Sequence, residues 1–313
     1  TVATVLKCVL VISGGLHGVE APFGSAVQLA VLQSAAICGP ELTKLRVVLI
    51  HTLNPFGFAW HRRTNEDNVD LNRNFLHEGQ EFSGVHEAYR ELDGLLNPPR
   101  PPVAWDCFAL RLAWSAFRFD KQTLRQAIAA GQYEFPKGIF FGGRRPAQTQ
   151  DILREHFPNW LSGASRALHL DFHTGLGRWA TYQLLLDRKV TPRQFDHMRR
   201  HFGEDTVRRY DAEDQAYCTR GSLGSWCDQQ VSHCDYQYLC AEFGTYPIRK
   251  VLAGLRAENQ AFHWGGEDRR SVAARKKLRE LLCPRSNRWR QTVIRRALRL
   301  CEQAVRAIQA KDD

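Results

Sequence analysis

The sequence predicts an α/β fold in which helices cover both faces of a mixed, mainly parallel twisted sheet. Short runs rich in β-branched and aliphatic residues alternate along the chain with helical patterns, an order typical of such sheets. The hydrophobic content of 43% over 313 residues is ample for a buried core. We therefore expect a single domain over residues 1–313.

Five short apolar runs have the length and composition of strands. The first begins almost at the start of the sequence, so we expect some N-terminal β structure to be missing from it. It ends in Ser13-Gly14-Gly15, which leads directly into a helical pattern. The five predicted strands cover residues 5–12, 46–52, 166–172, 181–187 and 236–243.

Segments whose apolar residues recur at helical spacing lie between these strands and after the last one. A dense proline stretch, residues 97–102, interrupts the pattern, because proline continues neither a helix nor a central strand. We expect residues 97–150 to form a surface excursion from the sheet. The predicted helices cover residues 19–37, 83–96, 120–130, 148–156, 191–203, 248–263 and 271–308.

The net charge of +10 is concentrated near the C-terminus. Residues 269–299 hold twelve arginines and lysines against one acidic residue, Glu280. Such a segment could bind nucleic acid or another anionic surface. Its leucines, valines and isoleucines recur at helical spacing. We therefore expect residues 269–313 to form basic helices that pack on the body and expose their charges to water, rather than a surface that binds anions.

Cysteine usage and hydropathy indicate which classes of protein the sequence does not fit. The nine cysteines are odd in number and form no Cys-x-x-Cys pair, which disfavours a disulfide framework and a cysteine zinc site. No apolar run reaches the length of a membrane helix, and no signal-peptide pattern is visible. We expect reduced cysteines, a cytoplasmic location and no membrane partner.

Metal-ligand residue types follow two of the predicted strands. His17 and Glu20 stand three residues apart after the first strand, where an imidazole and a carboxylate can meet one metal at a strand-to-helix turn. Alternation places Asp171 and His173 on one face at the end of the third strand. A lone His-x-x-Glu pair arises often by chance, and a single buried histidine is more often structural.

Two further strand ends carry polar groups. Residues 54–75 are dense in Asn, Asp and Arg, and arginine suits planar recognition of a carboxylate, although a surface loop held by Asn and Asp turns has the same composition. Glu242 ends the last strand, where burial of a carboxylate is costly without a partner or a task.

Together these strand ends predict a hydrolytic zinc site. Sites in open α/β sheets form outside the carboxyl ends of the strands. The set His17, Glu20 and His173 leaves one of four zinc positions for water, as in hydrolytic zinc enzymes. Glu242 is then available to take the proton of that water. Zinc suits this set well, and we expect one ion per chain.

The motifs resemble those of the zinc carboxypeptidase superfamily, which includes carboxypeptidase A, succinylglutamate desuccinylase and aspartoacylase. The resemblance is greatest to an uncharacterised bacterial carboxypeptidase-like branch and spans about residues 5–305. HGVE, NPFGFAWHRRTNEDNVDLNRNF, GIFFGG, LDFHTGLG and AEFGTYP match that branch in order and spacing. It implies a zinc carboxypeptidase-like, phosphorylase/hydrolase-like fold.

The resemblance also implies a role for each matched residue. His17, Glu20 and His173 match the metal ligands, and Glu242 matches the general base. Asp70 matches a carboxylate that orients the first histidine, and Asp171 is expected to support the ligands in the same way. Further residues match groups that contact substrate. They are Arg63 for the scissile carbonyl, with Arg62 as the competing assignment, Asn72 and Arg73 for the terminal carboxylate, and Tyr217 or Tyr210 as a capping tyrosine.

The expected function is hydrolysis of a peptide bond next to a free carboxylate. An N-acyl amino acid also presents a carboxylate near an amide, so a deacylase of the aspartoacylase or desuccinylase type is the main alternative. A third possibility is a non-catalytic binding protein on the same fold. The absence of Glu242 or of a metal ligand would have indicated it, and all of these residues are present. Nucleic-acid binding through the basic helices is a fourth, and it predicts strong salt dependence. The oligomeric state is open.

Overall fold

The computed structural model describes residues 8–39, 45–103, 105–115, 118–187, 190–208 and 220–310. Tyr210 and Tyr217 lie outside these ranges, as does the start of the first predicted strand. Within them, no helix is both long and apolar enough to span a membrane.

Six strands form one sheet in the order β2-β1-β3-β6-β4-β5. Strands β2, β1, β3 and β6 run parallel, β4 pairs with β6 in the antiparallel sense, and β5 is parallel to β4. The predicted mixed, mainly parallel sheet is confirmed. The strands are β1 (Cys8–Gly14), β2 (Leu45–Ile50), β3 (Arg166–Thr174), β4 (Tyr182–Leu185), β5 (Val207–Arg208) and β6 (Asp235–Phe243).

Helices cover both faces of the sheet, as predicted. The described α-helices are α1 (Ala21–Leu32), α2 (Ala35–Cys38), α3 (Pro55–Trp60), α4 (Glu87–Leu96), α5 (Phe108–Ser115), α6 (Lys121–Ala129), α7 (Gln148–Trp160), α8 (Pro192–Phe202), α9 (Leu223–Gln230), α10 (Ile248–Gln260), α11 (Arg269–Leu282) and α12 (Asn287–Gln309). Short 3-10 turns cover Gly18–Glu20 and Leu71–Arg73, and a π-helical turn, Ala261–Gly265, extends α10.

Alternation along the strands divides the core in two. One face, with Leu10, Ile12 and Phe172, packs against α1, α8 and α12. The other face, with Val9 and Val11, packs against α7 and α9. Because successive side chains of a strand point to opposite faces, β1, β3 and β6 each contribute to both cores.

The basic C-terminal segment is two helices, because Pro284 follows α11 and cannot continue it. The apolar stripe of α12 is buried on the sheet, with Val293, Ala297 and Leu300 fully covered. Ten basic side chains of residues 269–299 are exposed. They are Arg269, Arg270, Lys276, Lys277, Arg285, Arg288, Arg290, Arg295, Arg296 and Arg299.

The segment predicted as a surface excursion departs from that expectation over residues 131–143. Gln132 is fully buried there, and Ile139, Phe140 and Phe141 are nearly so. The main-chain N–H of Asp70 donates a 2.7 Å hydrogen bond to the carbonyl oxygen of Phe141, which fixes the segment to the polar loop. Aromatic burial and this backbone contact draw part of the excursion inward.

Candidate metal centre

Three side chains from two strand ends meet at one point. Nδ1 of His17 lies 3.1 Å from Oε1 of Glu20 and 3.2 Å from Nδ1 of His173. Oε2 of Glu20 lies 3.5 Å from Nδ1 of His173 and accepts a 2.8 Å hydrogen bond from the N–H of Thr174. All three side chains are buried. Two imidazole nitrogens and a carboxylate thus converge.

The spacing of these donor atoms fits a tetrahedral zinc ion. Zinc–nitrogen and zinc–oxygen bonds of roughly 2.0–2.1 Å place neighbouring ligand atoms about 3.3 Å apart. The separations of 3.1, 3.2 and 3.5 Å, which involve both oxygens of Glu20, are close to that value. His17, Glu20 and His173 could therefore hold one zinc ion with a position left open.

Close backbone packing builds the first part of the cluster. A Cβ atom on Gly18 would lie 2.1 Å from the carbonyl carbon of Gly57 in α3, so only glycine allows this approach. The N–H of Val19 donates a 2.7 Å hydrogen bond to the carbonyl oxygen of Arg62. The HGVE turn is thus fixed to the loop that follows β2, which explains why both motifs need glycine.

Each histidine of the cluster turns its second ring nitrogen toward an aspartate. Nε2 of His173 donates a 2.6 Å hydrogen bond to Asp171, and Nε2 of His17 lies 3.4 Å from Asp70. Both aspartates are fully buried. Burial alone would raise the pKa of each, but Arg63 and His17 hold that of Asp70 well below its usual range, and His173 lowers that of Asp171. Both act as anionic acceptors.

The charges of the cluster reinforce one another. Burial would raise the pKa of Glu20, but His17 and His173 outweigh it and lower that pKa to about 2. Burial disfavours a charged His173, yet Asp171 and Glu20 raise its pKa well above the usual value. The cluster therefore carries carboxylates that favour a cation between them.

Glu242 stands beside the cluster. It pairs in register with His173 on the neighbouring strand, and the two side chains bring possible ligand atoms within 4.8 Å. Burial raises the pKa of Glu242 to about 7. Its Oε2 atom is buried and, within the described residues, has no hydrogen-bond partner. Such a carboxylate is suited to exchange a proton near neutral pH.

The adjacent residues Arg62 and Arg63 have different partners and different exposure. Nε of Arg63 donates a 2.8 Å hydrogen bond to Asp70 beside the cluster, and the side chain is 16% exposed. Arg62 is buried and turned to other partners, because its guanidinium donates to Glu258 and to Asn68 and stacks on Phe262. Arg63 therefore lies at the cluster, whereas the side chain of Arg62 holds the loop in place.

Asn72 and Arg73 lie on the 3-10 turn that follows Asp70. Oδ1 of Asn72 accepts a 3.2 Å hydrogen bond from the N–H of Leu223, which leaves the amide nitrogen as a donor. Arg73 is 4% exposed, and its Nη1 donates to the carbonyl oxygen of Asn72. Tyr217, the predicted capping residue, lies outside the described residues.

GIFFGG is one of the motifs that carry the resemblance, but sequence reasoning gave no role to its residues or to the tyrosine before it, Tyr133. The hydroxyl of Tyr133 donates a 2.7 Å hydrogen bond to the carbonyl oxygen of Arg73. The guanidinium of Arg63 lies 5.2 Å from the ring centroid of Phe140, whose φ of 58° is unusual for a bulky residue. The glycine-rich, aromatic composition was the signal that could have placed this segment at the site.

The family model described as "Protein of unknown function (DUF2817)" matches residues 3–296. The chain belongs to the DUF2817 family. No curated protein matches this DUF2817 chain.

Among solved structures, the chain is similar to carboxypeptidase A from Helicoverpa armigera, with 13% identity, a TM-score of 0.44 and coverage of 97% of this chain and 63% of that one. It is also similar to murein-tripeptide amidase MpaA from Escherichia coli O157, with 20% identity, a TM-score of 0.40 and coverage of 85% and 84%.

Proposed function

We propose that the chain is a zinc-dependent amide hydrolase of the metallocarboxypeptidase type, which cleaves a peptide bond next to a free carboxylate. The observation that carries this proposal is the convergence of His17, Glu20 and His173 at 3.1–3.5 Å, with Glu242 beside them. A bound zinc ion supplies Lewis acidity and lowers the pKa of water in its coordination sphere.

Glu242 acts as the general base in this proposal. Burial raises its pKa, which suits it to accept a proton from the attacking water and then to donate that proton to the leaving amine. General acid–base catalysis of this kind contributes roughly 10²–10⁴-fold to a rate. The partial exposure of Glu242 leaves it open to a substrate on the same side as the ligands.

Arg63 stabilises negative charge that develops on the scissile carbonyl oxygen. Asp70 holds its Nε, and within the described residues its terminal nitrogens have no hydrogen-bond partner. Those nitrogens are therefore available to an oxyanion. Loss of one such donor typically costs about 3–4 kcal/mol of transition-state stabilisation.

The amide of Asn72 and the guanidinium of Arg73 bind the carboxylate of the substrate. Arginine presents a planar fork that suits a carboxylate. Asn72 and Arg73 lie two and three residues after Asp70, so the recognised carboxylate and the scissile amide are close together. A C-terminal peptide bond meets this requirement, and so does an N-acyl amino acid.

A substrate panel with zinc-loaded protein tests the proposal. N-blocked dipeptides with a free C-terminus should be hydrolysed, and the same dipeptides amidated at the C-terminus should react much more slowly. Hydrolysis of N-acetyl amino acids alone would replace the peptidase with the deacylase alternative. If the zinc-loaded protein hydrolysed neither class, the hydrolase proposal would fail and a binding function on this fold would replace it.

A further inference from the structure

A stripe of buried polar side chains runs along the sheet beneath the metal centre. It lies on the face that packs against α7 and α9, where most other side chains are apolar. Three adjacent parallel strands supply its members, which are at most 3% exposed. They are Ser13 of β1, His169 and Asp171 of β3, and Tyr236 and Tyr238 of β6.

The hydrogen bonds of this stripe have only one consistent direction. The hydroxyl of Ser13 lies 2.6 Å from Oδ1 of Asp171 and 2.7 Å from Nε2 of His169. An ionised carboxylate only accepts, so Ser13 donates its single proton to Asp171. Ser13 must then accept from Nε2–H of His169. Burial lowers the pKa of His169 to about 4, so the ring is neutral, and its Nδ1, 2.7 Å from the hydroxyl of Tyr236, accepts from that hydroxyl.

Asp171 therefore receives donors from three sides. Ser13 donates to Oδ1, while Tyr238 at 3.0 Å and His173 at 2.6 Å donate to Oδ2. A carboxylate fixed at both oxygens has no freedom to rotate away from its histidine. The ring of His173 is consequently held with Nε2 protonated and Nδ1 directed at Glu20 and His17.

We propose that Ser13, His169 and Tyr238 are positioning residues for the metal ligand His173, acting through Asp171. The proposal rests on the proposed function in that His173 must hold the ion. Partners of this kind set the tautomer and orientation of a ligating imidazole. Here the support extends from the metal centre through the sheet interior to Tyr236, and all of it is neutral apart from Asp171.

The other ligand histidine is supported differently. Asp70, which faces Nε2 of His17, accepts from Nε of Arg63 at 2.8 Å and from the N–H of Asn72 at 3.1 Å. These donors belong to residues that contact substrate in the proposed function. His17 is therefore coupled to the substrate side of the site, and His173 to the interior of the sheet, so substrate exchange leaves the support of His173 undisturbed.

Zinc affinity tests this inference. Tyr238→Phe and Ser13→Ala each remove one donor to Asp171 with little change of volume, and Asp171→Asn serves as the positive reference. Changes to such outer partners typically cost roughly 10–100-fold in metal affinity. We expect that loss for Asp171→Asn and about 3–10-fold for each donor variant. Tyr89→Phe is the matched control, because it also loses a buried hydroxyl hydrogen bond, at 2.7 Å to Ile139, in a separate core.

A second measurement reports on the hydrogen-bond direction itself. Nitrogen NMR of protein labelled at histidine should show His169 as the Nε2–H tautomer with and without zinc, and Tyr236→Phe should broaden or shift that signal. Competition for zinc with a chelator then measures how each substitution changes zinc affinity. The proteins compared are wild type, Tyr238→Phe, Ser13→Ala and Tyr89→Phe.

The outcomes are distinct. Weaker zinc binding by both donor variants, with Tyr89→Phe unchanged, supports the positioning role. Wild-type affinity in both donor variants while Asp171→Asn is weakened, or an Nδ1–H tautomer of His169, would overturn it and leave the proposed function intact. Absence of zinc binding by the wild type would remove the positioning role together with the proposed function.

Discussion

Nδ1 of His17 and Nδ1 of His173 lie 3.2 Å apart, although 156 residues separate them in the chain. Both rings turn Nε2 toward a buried aspartate, since Nε2 of His173 donates to Asp171 at 2.6 Å and Nε2 of His17 lies 3.4 Å from Asp70. This shared orientation, with Nδ1 of each ring turned inward, suits the pair to hold a metal ion.

Replacing Glu242 with Gln should separate metal binding from catalysis. The amide has nearly the same shape, so zinc should be retained, while kcat/KM should fall by roughly 10²–10⁴-fold because the proton acceptor is gone. Bound metal and turnover are measured on one preparation. Glu66→Gln, an exposed carboxylate in the polar loop, is the control that should change neither. Normal turnover by Glu242→Gln would remove Glu242 as the base.

The adjacent arginines should respond in opposite ways to replacement by alanine. Arg63→Ala should lower kcat by about 10²–10³-fold with a small change in stability, because it removes a donor to the oxyanion. Arg62→Ala leaves Glu258 buried without its cation and should cost about 3–5 kcal/mol in the free energy of unfolding. Activity assays and chemical denaturation measure the two effects. A larger catalytic loss in folded Arg62→Ala than in Arg63→Ala would reverse the assignment.

The pH profile of zinc-saturated enzyme should have an acid limb from Glu242. The base is active only when ionised, so kcat/KM falls as pH drops through its pKa. Burial raises that pKa from 4.5 to about 7 without metal, and a nearby cation lowers it again. We therefore expect an apparent pKa between 4.5 and 7 and a slope of about tenfold per pH unit. An identical acid limb in the residual activity of Glu242→Gln would assign it to another group.

Gly18→Ala should damage the site through the backbone. The new Cβ would lie 2.1 Å from Gly57, so α3 and the HGVE turn must separate. Overpacking of this kind costs about 1–3 kcal/mol, and zinc affinity should fall with it. Gly94→Ala in α4 is the matched control, because it has open space and should stabilise the protein by about 0.4–1 kcal/mol. Thermal unfolding with and without zinc measures both, and equal stability of the two variants would contradict the packing account.

The predicted strands were the most successful part of the sequence analysis. Strands β1, β2, β3, β4 and β6 each overlap a predicted run, and for β1, β2, β3 and β6 this is because buried parallel strands are continuous apolar segments. The helices α3, α5 and α9 and the two-residue strand β5 were missed. Each is short, and its formation depends on tertiary contacts more than on its own periodicity.

The site shows which features cannot be predicted from local sequence patterns. The sequence does not distinguish Arg62 from Arg63, because the partner that captures Arg62 is Glu258, 196 residues further along the chain. The support of His173 by Ser13 and Tyr238 likewise depends on the register of three strands that are distant in sequence. Residue types and strand ends predict which groups take part, while pairing between distant strands decides which of them meet.

The most direct test of the account is the metal content of purified wild type beside His173→Ala, measured by elemental analysis after zinc is supplied and excess removed. His156→Ala, an exposed histidine on α7, is the control. We predict about one zinc per chain in wild type and in His156→Ala, and loss of that zinc in His173→Ala, as one three-ligand site requires. A folded wild type that retains no zinc, or a His173→Ala variant that retains it fully, would contradict the proposed centre.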